Sequence, residues 1–158
     1  LKKGVAMYKK ILAPLDGSEL AECALAHVRA IASGCQVPEV VLFGVVEPIS
    51  SSQIASELGQ KWLRDAVKGM RSATEDYLAK AAAKLQKEGI NAKTVVAEGI
   101  AADEILQYAS KNKVELIIIS SHGRSGPARW AFGSVADRVV RHATAPVLVA
   151  AAPACRVI

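Results

Sequence analysis

Residues 120–134 gather most of the groups in this chain that could do chemistry: Ser120-Ser121-His122-Gly123-Arg124-Ser125-Gly126-Pro127-Ala128-Arg129-Trp130-Ala131-Phe132-Gly133-Ser134. An apolar run, Leu116–Ile119, leads into the segment, and an amphipathic stretch, Ser134–His142, leads out of it. A strand that empties into a glycine-bearing loop and then a helix can hold phosphate. Glycine lets the backbone approach an anion, and the first N–H groups of a helix have no partner within it. Arg124 and Arg129 add positive charge, Arg124 being the better phosphate partner. Gly133 would let the chain turn sharply against a phosphate, and Ser134 would both donate its hydroxyl and cap the following helix. Taken alone, Gly133-Ser134 could be no more than a helix start, since serine is a common N-cap. The length of the loop, its arginines and its place after an apolar run favour a nucleotide-binding loop.

A second polar turn follows the first apolar run. Asp16, in Pro14-Leu15-Asp16-Gly17-Ser18, could accept hydrogen bonds from ribose hydroxyls or face a metal ion carried by phosphates. It could equally close a local Asx turn with Gly17 and Ser18, and the sequence leaves these readings open. His122 between Ser121 and Ser125 invites a hydrolase reading, but the nucleophile-elbow pattern fails because its second glycine comes one place early. His122 therefore reads as a structural or ligand-lining residue. Trp130 and Phe132 read as packing the loop onto the core. Arg141 and His142 fall in the last turn of a helix, where positive groups suit the dipole. Neither G-x-x-x-x-G-K-[ST] nor a G-x-G-x-x-G after the first strand occurs, so phosphate transfer by a P-loop and a dinucleotide site are unsupported. A phosphate loop without an evident lysine, general base or dedicated metal ligands is built to bind rather than to turn over.

The elements that must position these turns alternate in type. Lys10–Ala13 reads as a strand stopped by Pro14. Glu19–Ala32 reads as a helix capped by Ser18 and closed by Gly34, with Ala21, Leu25, Val28 and Ala32 on one face. The unbroken apolar run Val40–Val46 suits a strand covered on both faces. Ser50–Leu58 is polar and serine-rich and takes no assignment, although its place after strand two would suit a lid. Lys61–Lys87 reads as a long helix with Leu78, Ala82 and Leu85 as its stripe, ended by Gly89. Ala92–Ala97, Leu116–Ser120 and Pro146–Ala150 read as strands, and Ala102–Ser110 and Ser134–His142 as helices. The strict β-α alternation predicts an α/β fold, a mostly parallel sheet with helices on both faces. Ligands of such sheets sit beyond the carboxyl ends of the strands, where the strand order reverses. That rule singles out the turns after strands one and four.

At 158 residues, 51% of them apolar, the chain suits one domain with a hydrophobic core of its own. Its net charge of +5 favours an anionic ligand. The basic residues are scattered, apart from Lys2, Lys3, Lys9 and Lys10 near the start, so no nucleic-acid surface is expected. Cys23, Cys35 and Cys155 have no metal-ligand spacing, and reduced thiols in a cytoplasmic protein are the simplest account. No apolar run approaches the ~18 residues of a membrane span, and the opening residues lack a secretory core. Met7 offers a natural start, which would make residues 1–6 an extension ahead of a domain over residues 7–152.

These segments together resemble the universal stress proteins. The resemblance runs from Met7 to Ala150 and rests on Tyr8–Ser18, on Val114–Arg124, and on Gly133-Ser134-Val135-Ala136 followed by Ala145-Pro146-Val147-Leu148-Val149. The ATP-binding branch of that family carries glycine, two residues, glycine, nine residues, then Gly-Ser or Gly-Thr. Gly123, residues 124–132 and Gly133-Ser134 match, while Ser120 stands where the first glycine would be. A side chain there would either crowd the nucleoside or add a hydrogen bond. The resemblance implies a five-stranded Rossmann-like parallel sheet in the order 3-2-1-4-5. It implies that Pro14, Asp16, Val45, Ile119 and Ser120 line an adenosine end, and that Gly123, Arg124, Gly133, Ser134 and Val135 surround the phosphates of ATP with Mg²⁺. It implies a homodimer paired through Val147–Val149, where an exposed apolar edge strand needs cover on physical grounds as well. The expected function is an ATP-binding stress-response regulator or sensor with little or no hydrolysis. The alternatives are a nucleotide-free dimerisation module and a slow ATPase or autophosphorylating protein.

Overall fold

The computed structural model describes residues 6–48, 52–121 and 133–151, the side chains of 52–58 excepted. The elements are β1 (Lys10–Pro14), α1 (Glu19–Gly34), β2 (Glu39–Val46), α2 (Ser52–Lys87), β3 (Ala92–Glu98), α3 (Ala101–Lys111), β4 (Leu116–Ser120), α4 (Ser134–His142) and β5 (Val147–Ala150). The strands form one sheet in the order β3-β2-β1-β4-β5, every pair parallel. The order reverses between β1 and β4, as expected.

The apolar runs are continuous because both faces of the sheet are covered. Successive strand side chains point to opposite faces, and the burial divides accordingly. Ile11, Ala13, Val40, Leu42 and Ile118 pack with α1 and α2 in one core. Leu12, Val41, Phe43, Ile117 and Ile119 pack with α3 and α4 in the other. Phe43 meets Tyr108 of α3 with ring centroids 4.9 Å apart. Right-handed crossovers put α1 and α2 on one face while the chain steps outward through β2 to β3, and α3 and α4 on the other after it crosses back.

At the amino ends of the strands Glu39 bridges Lys10 (3.0 Å) and Lys93 (2.8 Å), tying β1, β2 and β3 in register. These two lysines, Lys93 foremost, hold the Glu39 carboxyl below its ordinary value. The opposite, carboxyl ends are left for a site.

Several local expectations are corrected. Pro14 is the last residue of β1 rather than its stop, since a proline whose N–H is not needed is tolerated at a strand end. The long helix begins at Ser52, not Lys61, and is broken at Gly59 (φ 78°, ψ 152°), so most of the unassigned serine-rich stretch is helical. Of the cysteines among the described residues, Cys35 is free. No helix among the described residues is long and apolar enough to cross a membrane.

Candidate functional site

Just past β1 the chain is held to the sheet by the Leu15 N–H, which donates to the Phe43 carbonyl at 2.8 Å. Asp16 then closes an Asx turn. Its Oδ1 accepts from the Ser18 N–H (2.9 Å) and the Ser18 hydroxyl (2.6 Å), and Gly17 takes the positive φ of 80° that the turn requires. Ser18 Oγ in turn accepts from the Ala21 N–H at 3.1 Å, capping α1 as expected. The local-turn reading of Asp16 is thus realised, and the carboxylate is locked at the rim of the sheet.

At the end of β4, Ser120 and Ser121 are only 8% and 5% exposed. The Ser121 N–H donates to the Ala150 carbonyl (2.8 Å), and the Ser121 carbonyl accepts from the Gly133 N–H (2.7 Å). The chain therefore leaves β4 and re-enters α4 at one point, and the start of α4 sits at the carboxyl end of the sheet. Gly133, not Ser134, is the N-cap, and Ser134 is the first helical residue. Gly133 has φ −61° and ψ 157°, a conformation open to any residue, so its glycine is not needed for a sharp turn. Gly133 has no side chain with which to cap this helix. The first intrahelical bond runs from the Asp137 N–H to the Gly133 carbonyl at 2.9 Å, which leaves the N–H groups of Ser134, Val135 and Ala136 without intrahelical partners. Together with the helix dipole they favour an anion at this end.

Both turns open on one cavity of about 500 Å³, within the range of small-molecule sites. Pro14, Asp16, Val45, Ile119, Ser120, Gly133, Ser134 and Val135 all line it. Small, buried Ser120 forms part of the wall and leaves the cavity open. Gly123 and Arg124 lie outside the described residues, as do His122, Arg129, Trp130, Phe132 and Cys155.

Two parts of the wall escaped sequence reasoning. The first is a stripe of α2: Met70, Ala73, Thr74 and Tyr77. Their spacing, i, i+3, i+4, i+7, places them on one helical face and could have been read, but nothing local says that this face overhangs the strand ends. The second is Glu47, just after β2. Its Oε1 accepts from the Ala101 N–H at 3.3 Å, so an acid occupies the start of α3, whereas the cap residue of α4 is a glycine. The two helix ends at the cavity are therefore unlike, and the positive one belongs to α4. Tyr77 stands near Asp16 and Glu22. Burial first, then the charges of Glu22 and Asp16 and a loose side-chain hydrogen bond to the Glu22 carboxylate, push its ionisation up to about 12. That contact is poorly aligned, and by strict geometry the Tyr77 hydroxyl has no partner.

The cavity thus has an acidic end at Asp16 and Glu47 and an electropositive end at α4, with apolar walls between. Such polarity would orient a ligand whose neutral head carries hydrogen-bond donors and whose tail is anionic. Among the described residues no group of three or more His, Cys, Asp or Glu side chains could hold a metal by itself.

The sequence profile of the universal stress protein family matches residues 7–151. Universal stress protein MJ0577 of Methanocaldococcus jannaschii is 34% identical to this chain, over 90% of this chain and 94% of its own. The solved universal stress protein UspA of Lactobacillus plantarum superposes with a TM-score of 0.81 at 25% identity, covering 92% of this chain and 99% of its own. A universal stress protein family member of Arabidopsis thaliana, solved with AMP bound, has a TM-score of 0.62 at 15% identity, covering 90% of this chain and 91% of its own. This last likeness shows the fold alone.

Proposed function

Because the chain belongs to the universal stress protein family, we propose that it is an ATP-binding stress-response regulator or sensor, acting as a cytoplasmic homodimer with little or no hydrolysis. The observation that carries this reading is the convergence of the Asp16 turn and the glycine-capped start of α4 on one cavity. The triphosphate lies at the N–H groups of Ser134 and Val135 beside Gly133, with Gly123 and Arg124 completing the phosphate end. The nucleoside lies between Pro14, Asp16, Val45, Ile119 and Ser120.

A magnesium ion would ride on the phosphates. It takes most of its ligands from phosphate and water, so the phosphates could carry it without a protein carboxylate. The homodimer forms through β5, the sheet edge, whose Val147, Leu148 and Val149 are half-buried. Pairing there would satisfy an open edge.

Calorimetric titration with ATP and Mg²⁺ tests the binding claim. Saturable binding below millimolar nucleotide is expected, with no phosphate released over hours. Absence of binding at millimolar nucleotide would overturn it in favour of a nucleotide-free dimerisation module. Light scattering of Val147→Lys, expected to be monomeric where the parent chain is dimeric, tests the β5 interface.

A further inference from the structure

Among the described residues, one buried side-chain polar atom lacks a hydrogen-bond partner, and it belongs to a wall of the cavity: the hydroxyl of Tyr77 on α2. Buried polar groups are almost always satisfied, and an orphan costs free energy that needs an explanation. We propose that Tyr77 is a specificity-determining residue of this cavity, and that its phenol turns on binding to donate to a neutral acceptor of the nucleoside, a sugar oxygen or a ring nitrogen. The proposal deepens the nucleotide-binding reading and rests on it.

Position supports the assignment to the nucleoside end. Tyr77 feels the charges of Asp16 and Glu22, which places it near the acidic end of the cavity. Two carboxylates disfavour a phosphate there and leave a neutral group as the acceptor. The phenol keeps its proton, since burial and those charges hold its ionisation up to about 12, so it remains a donor at any pH at which the protein works. Asp16 at this end can only accept and already spends Oδ1 on Ser18, so a hydroxyl donor would add discrimination. The hydroxyl itself is closed off in the empty cavity, which is why a rotation about the side-chain bonds is part of the proposal. The adjoining wall residues on the same helix, Ala73 and Thr74, are small.

Tyr77→Phe separates a ligand-completed hydroxyl from a structural one. Removing an orphan should leave the melting temperature of the empty protein unchanged or raise it, while ATP binding, followed by calorimetry, weakens by about five- to tenfold, the value of one neutral hydrogen bond. A lower melting temperature for the empty variant would mean that the hydroxyl is satisfied within the fold and would overturn the proposal. Equal ATP affinity in variant and parent would also overturn it, leaving the nucleotide-binding reading intact. Failure of the parent chain to bind ATP at all would overturn both.

Discussion

A β-carbon placed on Gly44 of β2 would lie 2.5 Å from Cγ2 of Thr74 and 3.1 Å from Cδ1 of Leu78 on α2. Helix and strand meet backbone to side chain at this point, and the contact sets how far the α2 stripe of Met70, Thr74 and Tyr77 stands from the ends of the strands. The width of the cavity thus depends on a glycine that does not line it.

Gly44→Ala tests that dependence. Replacing a strand glycine usually helps by reducing the freedom of the unfolded chain, by about 0.4–1 kcal/mol. Overpacking a filled core costs about 1–3 kcal/mol, so the clash should win. Urea unfolding is expected to show a net loss of about 1–2 kcal/mol, and ATP binding should weaken because α2 is pushed outward. A more stable variant would show that α2 gives way without cost.

Gly133→Val examines the anion end. The backbone of Gly133 is already in a conformation that valine adopts, at φ −61° and ψ 157°, so the fold should survive. The loss at the N-cap is about 1 kcal/mol or less. A side chain at the cavity wall beside the first helical N–H groups should abolish ATP binding at millimolar nucleotide, while circular dichroism stays that of the parent. Unchanged affinity would move the phosphates elsewhere.

For Asp16 the turn and the ligand make separable demands. Asp16→Asn keeps an Oδ1 acceptor for Ser18, whereas Asp16→Ala removes it. The alanine variant should lose about 1 kcal/mol of stability and the asparagine variant much less, as read by thermal unfolding. Both should weaken ATP binding. Equal stability of the two would show that the Ser18 bonds contribute nothing.

The Glu39 bridge predicts a pH dependence with a definite sign. Its carboxyl is held below the ordinary 4.5 by Lys93 and Lys10. Its contribution is therefore fully present above that value and is lost as the pH falls through the depressed folded value. The stability gap between the parent chain and Glu39→Gln should be constant near neutrality and shrink below about pH 4.5. A gap that widened on acidification would contradict the bridge.

Much of this was legible before the fold. Leu116–Ser120 and Ser134–His142 have the bounds that their apolar runs and end residues indicate, because a buried strand and an amphipathic helix each declare their period. Ser18 was legible as a cap, since its hydroxyl acts within one helical turn. Gly133 was misread. A glycine ahead of a serine looks like a bend followed by a cap, and only the placement of α4 against Ser121 makes the glycine itself the cap. Gly59 was missed as a break because the polar, serine-rich stretch before it shows no apolar stripe to mark a helix there.

The sequence by itself determined the order and kind of the elements and the two turns that carry polar chemistry, because these depend on neighbours a few residues apart. The tertiary structure decided that Asp16 and Gly133 share a cavity, that the α2 stripe from Met70 to Tyr77 forms part of its wall, and that Glu47 claims the start of α3 while α4 starts on Gly133. Those relations join residues from different strands and helices. Their distances follow from how helices pack on a twisted sheet, a sum over many weak contacts that no local stretch of chain encodes.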